Sequence, residues 1–64
     1  MYGICLLTVI PMRKLSSHKS EMINQVLFGE TFKILKQKKE WSFINLSHDN
    51  YSGWINNNQY KIID

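Results

Sequence analysis

Three side chains in this sequence could do nucleophilic or metal chemistry: Cys5, His18 and His48. A catalytic thiol needs a histidine base, and the base needs a third polar group to orient it. Cys5 sits in Gly3-Ile4-Cys5-Leu6-Leu7, an apolar run with no basic neighbour to lower its pKa. It reads as a small buried hydrophobe. His18 and His48 lie far apart in polar, loop-like stretches, and neither has a second Cys or His at zinc spacing. The three glycines are scattered, so no phosphate-cradling loop is expected. With one cysteine no internal disulfide can form. These residues predict no catalysis, no metal and no cofactor in this chain.

Surface recognition remains. Trp41, Phe43, Tyr51, Trp54 and Tyr60 are many large rings for 64 residues. The stretch Trp41-Ser42-Phe43-Ile44-Asn45-Leu46 is apolar on both faces if extended: Trp41 and Phe43 on one, Ile44 and Leu46 on the other. Only one face can line a small core, so the other turns its rings to solvent or a partner. Trp41, Phe43, Tyr51, Trp54 and Tyr60 are therefore candidates for a ligand or partner surface. Rings in such a groove can pack on a peptide, a sugar or a neighbouring domain.

The elements that position these residues are short. Sixty-four residues at 44% hydrophobic and 20% charged make one small globular domain, residues 1–64. The longest apolar run, Ile4 to Leu7, is far below the ~18 residues that span a bilayer. Residues 3–10 read as a strand, and Pro11 then stops pairing or confines it to an edge. Residues 13–21 read as a long exposed loop. A helix capped by Ser20 is possible next, but Ile23, Val26 and Phe28 fit a strand better. Gly29 supplies a conformation other residues resist. Thr31 to Lys36 alternate and then slip, and Gln37 to Glu40 form a hairpin turn. A second turn centres on Asp49-Asn50 between the Trp41 strand and Gly53-Trp54-Ile55. Asn56 to Asn58 end that strand, and Tyr60 to Ile63 form a last short one. Five to six short strands with turns every 8–12 residues predict a small all-β barrel or sandwich.

The net charge is +3, with half of the positive charge on Lys33, Lys36, Lys38 and Lys39. A basic barrel with exposed rings could bind single-stranded nucleic acid, which needs rings interleaved with cations on one face. The lysines read as clustered at one turn, and the Trp41 strand holds no Lys or Arg. Nucleic acid is therefore not the expected partner.

The order of landmarks resembles the bacterial SH3 domain family. Ile10-Pro11-Met12-Arg13 opens a long polar loop; then come an apolar strand, Gly29, an alternating strand, Glu40-Trp41 and Gly53-Trp54-Ile55. More narrowly, Tyr2-Gly3-Ile4-Cys5, Ser20-Glu21-Met22, Leu27-Phe28-Gly29-Glu30 and Asp49-Asn50-Tyr51 are similar to the SH3-like domain at the start of NlpC/p60-type cell-wall peptidases of Bacteroidetes-like bacteria. The similarity runs from about residue 3 to 60. It departs at Pro11, at Leu15-Ser16-Ser17 and at Glu40, all next to loops.

The resemblance implies a half-open SH3-like barrel with Ile10, Met12, Ile23, Val26, Phe32, Ile34, Ile44 and Ile55 in the core. Arg13 stands at the family's Arg position, where its guanidinium fork suits a carboxylate, and it joins Trp41, Phe43, Tyr51, Trp54 and Tyr60 as the candidate ligand or partner surface. It implies a non-catalytic module of a cysteine peptidase that cleaves γ-D-glutamyl-diaminoacyl bonds, with the catalytic domain downstream. The expected partner is a peptidoglycan stem peptide or that catalytic domain; a purely structural interaction domain is the alternative. No signal peptide is visible. The expected location is the cell envelope if a leader has been removed, and the cytoplasm otherwise. Oligomeric state stays open.

Overall fold

The computed structural model describes residues 1–63. Seven strands follow one another: β1 (Tyr2–Ile4), β2 (Val9–Arg13), β3 (Met22–Leu27), β4 (Thr31–Gln37), β5 (Trp41–Leu46), β6 (Ser52–Asn56) and β7 (Lys61–Ile62). A single 3-10 turn, Asn57–Gln59, precedes β7. All pairings are antiparallel, in the order β3-β2-β6-β5-β4-β1-β7. The edge strands β3 and β7 do not pair with each other, so the sheet stays unclosed. This is the expected SH3-like all-β architecture, with seven strands in place of five to six.

The extra strand comes from the segment 3–10, which is not continuous. Its two halves serve opposite parts of the sheet, β1 beside β4 and β7, and β2 beside β3. At the break, Cys5 bonds through its N–H to the Glu30 carbonyl and through its carbonyl to the Gly29 N–H, so the chain turns around the β3–β4 connection. Pro11 lies within β2, facing Gln25 of β3. β2 meets β6 only at Arg13, so one side of the strand is open at Pro11, as a residue without an N–H requires.

The turns follow residue chemistry. Glu30 donates its N–H to the Leu27 carbonyl, closing a tight turn in which Gly29 has φ +85°. That is the left-handed region, which glycine enters without penalty. Asn50 takes φ 55° in the β5–β6 turn, where its short polar side chain tolerates it.

The core holds Cys5, Ile10, Met12, Val26, Phe32, Ile34, Ile44, Leu46 and Ile55. Seven of the eight residues expected there are present; Ile23 is only half-buried. It stands at the rim, where its Cδ1 is close to the space above Gly53. On β5 the alternation is complete. Ser42, Ile44 and Leu46 are buried, and Trp41, Phe43 and Asn45 are half-buried on the other side.

Ser42 is a fully buried hydroxyl, and such a group needs partners. It bonds to Asn57 Oδ1 and shares a hydrogen bond of 2.8 Å with the Tyr60 hydroxyl. Asn57 in turn donates its amide to the Lys38 and Lys39 carbonyls at 3.0 and 3.3 Å. This network pins the β4–β5 turn to the 3-10 turn.

Candidate functional site

The candidate residues gather mainly on the outer face of the β5–β6 hairpin. Phe43 and Trp54 are cross-strand partners with ring centroids 5.2 Å apart and a 53° tilt. Trp41 lies two residues along the same face of β5, and the His18 ring covers it at 4.8 Å. Arg13 is the partner of Trp54 on the other side of β6. Its Nη1 donates to the Ser20 carbonyl at 3.2 Å, which ties the loop 14–21 to the edge of this face.

Four of the six expected residues thus come together: Arg13, Trp41, Phe43 and Trp54. Tyr51 does not join them. It is in the β5–β6 turn, beyond the Asn45–Ser52 pair, at the opposite end of the hairpin from Trp41. Tyr60 packs against the core, edge to face with Phe32 at 5.3 Å, and its hydroxyl goes to Ser42 and Gln37. Its position closes one end of the barrel.

The lysines do not stay apart from the rings, which corrects the layout expected from sequence. Lys36 is the cross-strand partner of Phe43. Lys38 reaches over the sheet so that its Nζ lies 4.8 Å from the centre of the Trp54 ring, a cation–π distance. Its Nζ also lies 3.5 Å from Ser16 Oγ in the 14–21 loop. The cause is register. The β4–β5 hairpin turns over two residues, Lys39 and Glu40, so that 38 faces 41, 37 faces 42 and 36 faces 43. A four-residue turn over Gln37 to Glu40 would have set Lys36 against Trp41. A bulge at Leu35 then restores the alternation that fills the core. The visible signal was the slip in alternation after Ile34. His18 had no local signal, because the loop path alone brings it to Trp41.

The chemically reactive types stay separate. Cys5 is fully buried, with its Sγ 3.1 Å from the Leu7 carbonyl oxygen and 3.7 Å from that of Val26. Burial pushes its thiol above the ordinary value, the backbone contact at Leu7 opposes this, and the charge of Glu30 adds to it. His48 is at the far end, with Nδ1 3.2 Å from Glu30 and Nε2 3.7 Å from Asp49. Among the described residues no group of three His, Cys, Asp or Glu could hold a metal. A hollow of about 120 Å³ lined by Leu6, Leu7, Asn58, Gln59, Tyr60 and Lys61 is well below the size of a small-molecule cleft.

Comparison with protein families decides the relationship. Residues 12–59, three quarters of the chain, match the bacterial dipeptidyl-peptidase SH3 domain. The chain belongs to this family. It is therefore a bacterial SH3 domain of the peptidase-associated kind, a non-catalytic module. No curated protein matches it. No helix among the described residues of this SH3 domain is long and apolar enough to cross a membrane.

Proposed function

We propose that this SH3 domain is the recognition module of an NlpC/p60-type cell-wall peptidase and presents its outer β5–β6 face to peptidoglycan stem peptides near the adjoining active site. The observation that carries this reading is the two-sided β5 strand. Ile44 and Leu46 are buried on one side, and Trp41 and Phe43 stand half-buried beside Trp54 on the other. The core does not need those rings, so their place on the surface calls for a ligand. Arg13 and the 14–21 loop form one border of the face, and the Lys38 side chain crosses it over Trp54 to meet Ser16 of that loop. Such a module raises the rate of its peptidase by positioning the substrate, without supplying a reacting group.

Sedimentation with isolated peptidoglycan sacculi near physiological salt tests this. The domain is expected to pellet with the sacculi, and folded Trp41→Ala is expected to stay in the supernatant. Equal recovery of both proteins in the supernatant, or binding that added salt abolishes in both, would sink the targeting reading.

A second reading has its own observation. Leu6, Leu7, Val9, Leu27 and Phe28 are all exposed, Phe28 at 67%. Val9 pairs with Leu27, and the Phe28 N–H bonds to the Thr8 carbonyl, so these side chains crowd one end of the β2–β3 hairpin. An apolar patch of this kind fits packing against the peptidase's own catalytic domain. In that case Phe28→Ser weakens association of the separately produced domains, and Trp41→Ala leaves it unchanged.

A further inference from the structure

Register sets four residues from four strands in one row across the outer face. Lys36 of β4 faces Phe43 of β5, Phe43 faces Trp54 of β6, and Trp54 faces Arg13 of β2. Directly opposed residues of paired strands share a side of the sheet. The row therefore reads cation, ring, ring, cation. Strands are ~4.8 Å apart, so three gaps separate the backbone positions of Lys36 and Arg13 by about 14 Å along the sheet.

The charges on this row are not neutralised from within. Among the described residues the ion pairs are those of His48 with Glu30 and Asp49, at the far end of the barrel. Arg13, Lys36 and Lys38 have no carboxylate partner among the described residues. Arg13 commits one guanidinium N–H to the Ser20 carbonyl, which fixes its direction and leaves the rest of the fork for a ligand.

We infer that this row binds an extended acidic peptide segment with carboxylates at positions i and i+4 and an apolar side chain at i+2. The spacing gives the register. An extended chain advances ~3.3 Å per residue, so about 14 Å is four residues. Positions i, i+2 and i+4 of such a chain share one face. One carboxylate then meets Lys36, the other meets Arg13, and the side chain between them rests on Phe43, beside the Trp54 ring that Lys38 covers. The rings disfavour a nucleic-acid strand. Base stacking needs an open ring face, but Trp54 is covered by Lys38, Trp41 is covered by His18, and Phe43 is tilted against Trp54. The inference rests on reading this face as a partner surface and narrows what that partner is.

Tryptophan fluorescence titration of the full chain provides the test. The probe is a capped peptide with two glutamates four positions apart and a leucine midway, in a serine and glycine background. It is expected to bind about tenfold more tightly than the same composition with the glutamates two apart, or than the glutamine version. Lys36→Glu, a surface change whose fold is checked by circular dichroism, is expected to weaken binding about tenfold. Arg13→Lys keeps the charge, loses the fork, and is expected to weaken it less. Equal affinity for both spacings, no saturation at millimolar peptide, or tighter binding of a short oligothymidylate would each overturn the inference. Sacculus binding that persists when the peptide fails defeats this inference alone; loss of both defeats the partner-surface reading as well.

Discussion

Gly3→Ala should damage this domain more than its size suggests. A Cβ built on Gly3 lies 2.5 Å from Phe32 Cε1, 2.8 Å from Phe32 Cζ and 2.9 Å from Tyr60 Cδ2. Carbon atoms settle at about 3.5–4.0 Å, so the rings must retreat by roughly 1 Å. Neither is free to do so. Phe32 is fully buried and packs edge to face on Tyr60, whose hydroxyl is held by Ser42 and Gln37. Overpacking a core costs about 1–3 kcal/mol, and two constrained rings place this case near the top, about 3 kcal/mol. For a domain of this size, 1 kcal/mol moves Tm by about 4–8 °C, so a fall of about 12–24 °C is expected. Urea unfolding should show a lower midpoint at an unchanged slope. Gly29→Ala is the control. Nothing lies within 4 Å of its Cβ, but φ is +85°, so its cost is backbone strain of about 1 kcal/mol. Gly29→Asn should recover part of that loss, and Gly3→Asn should recover none. A Gly3→Ala protein within about 0.5 kcal/mol of the parent, or less affected than Gly29→Ala, would refute the packing argument.

Three further outcomes are expected. Ser42→Ala removes a buried hydroxyl that serves both Asn57 and Tyr60, and should cost about 1–2 kcal/mol in urea unfolding; Trp41→Ala, on the half-buried face, should cost less in the same assay. Cys5 should resist thiol reagents in the folded protein and react at the rate of local opening, measured by stopped-flow labelling. Burial raises its folded pKa above the unfolded one, so the unfolded chain loses the proton first as pH rises. The Cys5 contribution is therefore complete below the unfolded thiol pKa of about 8.5 and is lost as pH climbs through the folded value. Thermal melts from pH 7 to pH 10 should show a steeper alkaline decline for the parent than for Cys5→Ala.

The alternation of single residues made most of this fold legible. Ile44 and Leu46 against Trp41 and Phe43 showed which side of β5 was core, and Gly29 and Asn50 marked turns through their backbone chemistry. The break after Ile4 was not legible, because an apolar run says nothing about which distant strand each half will join. The Gly29 and Glu30 backbone claims Cys5 and divides the run. The cationic half of the candidate site was hidden for a related reason. Lys36 and Lys38 reach the rings only through a two-residue turn followed by a bulge, and each shifts register by amounts that composition does not record. Tyr60 looked like a surface ring and packs half-buried against the core, since the aromatic type alone does not reveal its hydrogen bonds to Ser42 and Gln37.

The pairing of β1 with β7 has a mechanical consequence. Gly3 faces Ile62, Ile4 faces Lys61, and the Ile63 N–H bonds to the Tyr2 carbonyl at 3.0 Å. The backbone at Tyr2 and the backbone at Ile63 therefore leave the sheet side by side and in the same direction. Tension applied across them opens these bonds one after another, like a zipper, instead of shearing the ladder all at once. β7 has only two residues, both exposed, so it peels away first at low force. Once β7 has peeled, the load on that side passes through the 3-10 turn to β6, which is held between β5 and β2 in the interior of the sheet. A domain strung this way would yield first at its seam, before load reaches its aromatic face.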